Sequence, residues 1–383
     1  MISVEEASQI IGHSLARWAP MRLEEDLFAD RDYPPFNRVM MDGIAVQFEA
    51  YQSGLTVFPI QEIAAAGEPQ KKLENPKYCL EVMTGAPLPT GCDLVIPYEH
   101  LQIENGIALI TKTMDRVLME NIHLQGSDCR AGEIVLSARN FLNGPHEGIA
   151  ASMGYASPKL SASARILLVS NGDELIEIDS NPAIHQIRRS NIYALKRSLE
   201  INGYNLIEMT HLKDDAKEAK DHYTHNASKF DLIIYSGGVS KGKFDYLPSV
   251  WMELGVEKIF HEVSQRPGKP LWFGIDHKNQ TTVIGLPGNP VSSLVCLHRY
   301  VLIQREVWAQ LSEEVIFKKD LTYFLPVKLE YSKIGTIIAH PLKIKNSGEF
   351  TALAGSDGFI ELPKEQSVFK AGEAFKFFSW RSL

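Results

Sequence analysis

Residues Phe230 to Tyr246 read FDLIIYSGGVSKGKFDY. An apolar run of strand character meets a glycine pair, and Gly237 to Lys243 fits the G-x-x-x-x-G-K spacing of a nucleotide-binding P-loop. A P-loop then needs a Ser or Thr hydroxyl for Mg²⁺, and Phe244 has no oxygen to offer. The glycine pair instead removes side chains so that successive backbone N–H groups can converge on an anion, with Ser236 and Ser240 adding hydroxyl donors. Asp245 follows at the start of the next helix. A carboxylate beside a phosphate-binding turn repels the phosphate unless Mg²⁺ lies between them, so the pattern reads as a metal-phosphate site. A tight turn in which Asp245 caps its helix fits the same letters.

Outward from this loop the chain alternates apolar runs with helical stretches: ARILLVS, then Asn191 to Asn202, YNLIEM, Asp214 to Lys229, FDLIIY, and Tyr246 to Leu254. Asn191 or Ser190 suits the first helix as its cap and Gly203 follows its end. Strands alternating with helices predict a parallel sheet covered on both faces, with ligands outside the carboxyl ends of the strands. Two more loops sit at such ends: SNGDEL, Ser170 to Leu175, and GLPGNPVSS, Gly285 to Ser293. Asp173 and Glu174 offer further oxygen ligands. Pro290 fits the first position of a helix capped by Asn289 and running through Leu297 toward Val307, whose N-terminus suits an anion. Upstream, in QRPGKP, Arg266 and Lys269 bracket a Pro-Gly turn and fix two cations at short separation, which suits a doubly charged oxyanion; a solvated basic turn is the plainer alternative.

The flanks differ in character. Ser3 with Glu6 forms an S-x-x-E capping box, and Val4, Ala7, Ile10, Ile11 and Leu15 recur at helical spacing. From about Asn37 to Val135 short β-type runs (GIAVQF, DLVIPYE, IALITK, EIVL) are separated by turn residues, and β-type segments return from about Leu311. The β-rich part holds PPFNRVMMDGIAV, Pro34 to Val46, and EVMTGAPLPTGCDLVIPYEH, Glu81 to His100, which surround Asp42 and Thr84 and by themselves read as turns.

At 383 residues the chain exceeds one hydrophobic core, which sets an expectation of about two to four domains. Hydrophobic content of 44% and charged content of 22% are those of a globular protein, and no apolar run is long enough to span a membrane. A formal net charge of −8 argues against a bulk electrostatic grip on nucleic acid. Cys79, Cys92, Cys129 and Cys296 have no C-x-x-C or zinc-finger spacing and read as reduced thiols, with Cys296 in a core helix. No targeting segment is visible at the N-terminus, so a cytoplasmic location is the default expectation.

Taken together, these segments resemble the molybdopterin molybdenumtransferase family, the MoeA-type proteins and the E domain of gephyrin. PPFNRVMMDGIAV, MTGAPLPTGCDLVIPYE, SNGDEL, SGGVSKGKFDY, PGKP and GLPGNPVS stand in that family's order from residue 34 to 293, followed by a fitting β-rich tail. The resemblance implies a central three-layer α/β domain (164–311), a β-rich insertion domain (31–131), an N-terminal helical and linker part (1–30 with 132–163) and a small C-terminal β domain (312–383). It implies insertion of molybdate into adenylylated molybdopterin with release of AMP in the presence of Mg²⁺, by a homodimer in which the β-rich domain of one subunit faces the α/β domain of the other. Asp42, Thr84, Glu174, Asp245 and Lys269 match the catalytic positions, and Asp245 and Glu174 would hold the metal. Ser236, Gly237, Gly238, Ser240, Arg266, Pro270, Pro287, Gly288, Asn289 and Ser347 would bind the substrates. Molybdopterin adenylyltransferase and recipient molybdoenzymes are the candidate protein partners. Three departures from the family pattern stand out: Arg266 where Lys is frequent, His123 to Gln125 in place of an arginine-rich segment, and Pro326 in place of an arginine associated with molybdate entry. An adenylyltransferase would resemble the same α/β domain but lacks the flanking β domains. A non-catalytic pterin-binding scaffold would need none of Asp42, Glu174 and Asp245.

Overall fold

The computed structural model describes residues 1–16, 22–140, 142–161, 163–240, 245–302, 304–344 and 346–381. Contacts divide the chain into two units, Arg22–Ser161 and Met1–Met21 with Ala162–Leu383. Helix α1 (Val4–Leu15) opens the second of these with the predicted capping box: Ser3 Oγ accepts from the Glu6 N–H at 3.1 Å and Glu6 Oε2 from the Ser3 N–H at 2.8 Å.

The Arg22–Ser161 unit is built on a six-stranded sheet of β1 (Gly43–Val46), β2 (Val57–Ala64), β3 (Cys79–Val82), β4 (Leu94–Pro97), β5 (Leu101–Glu104) and β6 (Ile107–Ile110), in the order β4-β1-β3-β2-β6-β5. Alternating side chains feed two apolar cores, Ala45, Leu80 and Val95 in one and Ile44, Cys79 and Ile96 in the other. At Gly43 a Cβ would stand 2.0 Å from the Ile96 carbonyl oxygen, so only glycine lets β1 lie this close to β4.

The other unit contains β7 (Ile166–Asn171), α2 (Ser190–Ile201), β8 (Ile207–Leu212), α3 (Ala216–Asn226), β9 (Leu232–Ser236), α4 (Leu247–Glu253), β10 (Glu257–His261), β11 (Trp272–Asp276), β12 (Thr281–Leu286) and α5 (Pro290–Cys296). Its sheet runs β8-β7-β9-β12-β11-β10. The first four strands are parallel, and β11 and β10 are antiparallel to their neighbours. The sheet is therefore mixed rather than wholly parallel. Only four residues join Asp276 to Thr281, a hairpin-length link that cannot carry a parallel crossover.

Both faces are covered, in three layers. Ile166, Leu168 and Ile234 pack with α1, α2 and α5, while Leu167, Val169, Ile233 and Tyr235 pack with α3 and α4. Continuous apolar strands are the consequence of burial on both sides. The helix after Asn289 is shorter than its apolar run suggests: α5 passes into a π-helical turn that ends at Val301, and Val307 already begins a strand.

That strand, β13 (Val307–Leu311), joins β14 (Thr322–Tyr331), β15 (Ile337–Pro341), β16 (Gly358–Leu362) and β17 (Ala374–Ser379) in a closed ring, β14-β15-β13-β17-β16 and back to β14. Closure removes free sheet edges, and Val327, Ile360 and Phe377 fill the interior. The two-residue strand Gln265–Arg266 pairs with β14 and ties the α/β sheet to this barrel.

Candidate active site

Parallel register brings the carboxyl ends of β7, β9 and β12 level, with Ser170 beside Ser236 and Ser236 beside Leu286. The loops that follow form one wall of a cavity of about 450 Å³, lined by Glu174, Ser236, Gly237, Gly238, Ser240, Asp245 and Gly288 among others. The sequence-predicted residues of the first and second loops therefore meet.

The glycine pair is required by space as well as by backbone angle. Gly237 and Gly238 have φ of +97° and +71°, and a Cβ would fall 2.7 Å from the Asn171 carbonyl oxygen at the first and 2.7 Å from Asn171 Nδ2 at the second. The expected nest of N–H groups is only partly realised, because the Gly237 N–H donates to the Leu286 carbonyl at 3.1 Å. Lys241, Gly242, Lys243 and Phe244 lie outside the described residues.

Two assigned caps are used differently. Helix α4 has Tyr246 as its N-cap with no side-chain cap bond, so Asp245 does not serve as that cap. Helix α2 begins after Arg189, again with no capping side chain. Asn191 instead donates from Nδ2 to Ser236 Oγ at 3.1 Å and to the Gly288 carbonyl at 2.7 Å, linking the Gly-Gly and GLPGNP loops. Asn289 occupies the N-cap of α5 without a cap bond, and its Nδ2 donates to Ser347 Oγ at 2.9 Å.

Sequence reasoning passed over several lining residues. Asp214 faces the cavity and accepts from Asn171 Nδ2 at 2.6 Å, while its own N–H donates to Asp173 Oδ1 at 3.1 Å. Arg188 and Arg189 also line it, and Arg189 forks onto Glu177 at 2.9 and 2.7 Å. No periodic signal marks these positions; Arg188 arrives because Leu175–Ile176 pairs in parallel with Ile187–Arg188. Three carboxylates, Glu174, Asp214 and Asp245, thus share a cavity whose glycine loop suits phosphate.

A second cavity of about 400 Å³ adjoins the first, with Pro270, Pro287 and Asn289 lining both. Arg266, Lys269 and Ser347 line only the second, together with Tyr323, Phe324 and Pro326. No carboxylate lines it among the described residues, so it is the cationic compartment of the pair. Lys269 Nζ lies 3.7 Å from Glu262 Oε1 and its side chain remains half exposed.

Asp42 and Thr84 belong to the Arg22–Ser161 unit and meet there. Asp42 Oδ1 accepts from the Thr84 N–H at 2.6 Å and from the Thr84 hydroxyl at 2.9 Å. These donors, the N–H foremost, hold the Asp42 carboxyl below the usual carboxylate range. In the same unit, His123 bonds Arg38 and Asp128, and the Gln125 N–H donates to Asn37 Oδ1 at 2.8 Å.

As to metal, Glu174, Asp214 and Asp245 line one cavity, but among the described residues no three His, Cys, Asp or Glu side chains come together in a group that could hold a metal ion. Mg²⁺ binds through one or two carboxylates, several waters and substrate phosphates rather than an all-protein cage, so the hard oxygens of Glu174 and Asp245 fit it.

The chain matches family models along most of its length. These are the MoeA N-terminal region (domain I and II) over residues 2–154, the "Probable molybdopterin binding domain" over 167–305, and the MoeA C-terminal region (domain IV) over 309–380. It is 52% identical over 358 residues to a molybdopterin molybdenumtransferase of Synechocystis, covering 94% of this chain and 92% of that one. A Bacillus subtilis protein of the same name is 27% identical over 368 residues, covering 91% of this chain and 85% of that one. The fold is shared with a molybdopterin biosynthesis MoeA protein from Pyrococcus horikoshii, at TM-score 0.78 and 24% identity over the whole of both chains.

Proposed function

The chain belongs to the MoeA-type molybdopterin molybdenumtransferase family, and from that premise we propose how its two adjoining cavities divide the work of inserting molybdate into adenylylated molybdopterin. The protein is a transferase of molybdenum cofactor biosynthesis. One observation carries the division: a carboxylate-rich cavity with a glycine loop shares Pro270, Pro287 and Asn289 with a cavity whose only lining charges, among the described residues, are Arg266 and Lys269.

The first cavity takes the phosphates of the pterin nucleotide. Ser236 and Ser240 offer hydroxyl donors, and the bare backbone at Gly238 allows close approach. Glu174 and Asp245 would hold Mg²⁺, which when bound supplies positive charge against the phosphoanhydride and the departing AMP. The second cavity takes molybdate between Arg266 and Lys269, whose charges offset the dianion and hold it beside the shared wall. Catalysis on this reading is positional and electrostatic and needs no protein nucleophile. Asp42, held as acceptor by the N–H and hydroxyl of Thr84, and the homodimer are part of the same reading.

The test is AMP release from the purified protein given adenylylated molybdopterin. Release that depends on both molybdate and Mg²⁺ is expected. Tight nucleotide binding without release under any combination would make the protein a pterin-binding scaffold instead.

A further inference from the structure

We propose that Gln265, a buried amide beneath the Pro267–Gly268 turn, is a positioning residue that sets the geometry of Arg266 and Lys269 toward the oxyanion; the inference rests on the second cavity being the molybdate site. Gln265 is 0% exposed, an unusual place for an amide unless each end is satisfied. Its Nε2 donates to the Pro267 carbonyl at 3.2 Å and the Gly268 carbonyl at 3.0 Å, with Cys296 Sγ at 3.4 Å. Its Oε1 accepts from the Tyr300 hydroxyl. Carbonyls only accept, so the turn and Tyr300 together fix which end of the amide points where.

The turn sits tightly on this support. Gly268 has φ +89°, and a Cβ there would stand 2.5 Å from Cys296 Sγ and 2.7 Å from Gln265 Nε2. With the carbonyls of Pro267 and Gly268 bonded to the amide beneath, the flanking Arg266 and Lys269 line the cavity. The Cys296 thiol also donates to the Gly268 carbonyl, at 3.6 Å, and is a weak donor. Loss of the amide leaves the turn without its strong donor, and a buried carbonyl so deprived moves to find another. Lys269, half exposed and paired with Glu262 at 3.7 Å, moves with its backbone. The residue therefore acts on molybdate through two cations it does not itself extend.

Gln265→Met keeps length and bulk and removes both ends of the amide. In steady-state AMP release by the full chain, we expect the molybdate KM to rise about tenfold, the size of effect that weakening a charged contact to the oxyanion produces. The kcat at saturating molybdate and the KM for adenylylated molybdopterin should stay within about twofold of the parent values, because the variant keeps both cations and saturating molybdate selects the arrangement in which they hold it. Tyr300→Phe, which releases only Oε1, should shift the same KM by a smaller factor and carries the test if Gln265→Met does not fold. A fall in kcat with unchanged molybdate KM marks a merely structural residue and overturns the inference. Lys269→Ala serves as the reference: if it raises the molybdate KM while both other variants do not, the positioning role alone is wrong. If no variant changes that KM, the cavity is not the molybdate site and the inference falls with it.

Discussion

The Gly237–Gly238 loop and the Pro267–Lys269 turn each present polar groups to a cavity, and they are held in opposite ways. Backbone holds the first at Gly237, whose N–H continues the ladder to Leu286 and whose Cβ would meet the Asn171 carbonyl oxygen at 2.7 Å. A buried side chain, Gln265, holds the second from beneath. Rigid backbone suits a loop that must meet phosphates in one geometry. A turn carrying two long cations gains its precision from below, because their own rotamers leave them mobile.

The largest expected effect strikes the backbone-held side. Asp245→Asn combined with Glu174→Gln should lower AMP release by about 10² to 10³-fold at limiting Mg²⁺, the range seen when electrostatic stabilisation of a transition state is removed. Initial rates across a Mg²⁺ titration check this, and full activity at limiting Mg²⁺ would end the metal role. Gly238→Ala comes next. Its positive φ and the contacts at 2.7 Å with Asn171 and 2.8 Å with Leu247 predict a loss of about 1–3 kcal/mol and weaker nucleotide binding, read by thermal melts with and without the nucleotide.

His298 sharpens the comparison from the side-chain-held part. It is buried between the Ser379 carbonyl and the Ser198 hydroxyl, each at 2.9 Å, and burial pushes its pKa down to about 4 from an ordinary 6.5. The unfolded chain binds that proton first, so stability from neutral His298 is full above about 6.5 and is lost as pH falls toward about 4. Melts from pH 7 to 4 should show a steeper decline for the parent than for His298→Gln. Smallest is the effect at Thr84. Because the N–H of Thr84 lowers the Asp42 pKa more than its hydroxyl does, Thr84→Ala should raise that pKa only partway to its ordinary value, measurable by carboxyl NMR.

The same contrast explains what the sequence disclosed. Strand, then Gly-Gly, then acid is a local pattern, and the three strand-end loops could be read because burial of a sheet on both faces writes continuous apolar runs. Asp42 and Thr84, by contrast, read as separate turns until a resemblance placed them together, since they stand 42 residues apart. By residue type Asn191 or Ser190 suits a helix cap, because cap and cross-loop donor use the same residue types, and only the approach of Ser236 and Gly288 decides what Asn191 does. Gln265 and Tyr300 stand 35 residues apart, and an amide pointing inward leaves no periodic trace. The antiparallel strands β10 and β11 escaped for a related reason: apolar runs report burial but not direction.

The division between the two cavities is tested most directly by the KM values of Lys269→Ala in the AMP-release reaction. Loss of one charged contact, worth about 1.5–3 kcal/mol, should raise the molybdate KM about tenfold or more and leave the KM for adenylylated molybdopterin unchanged. An unchanged molybdate KM, or an equal rise in both, would contradict separate compartments for the oxyanion and the nucleotide.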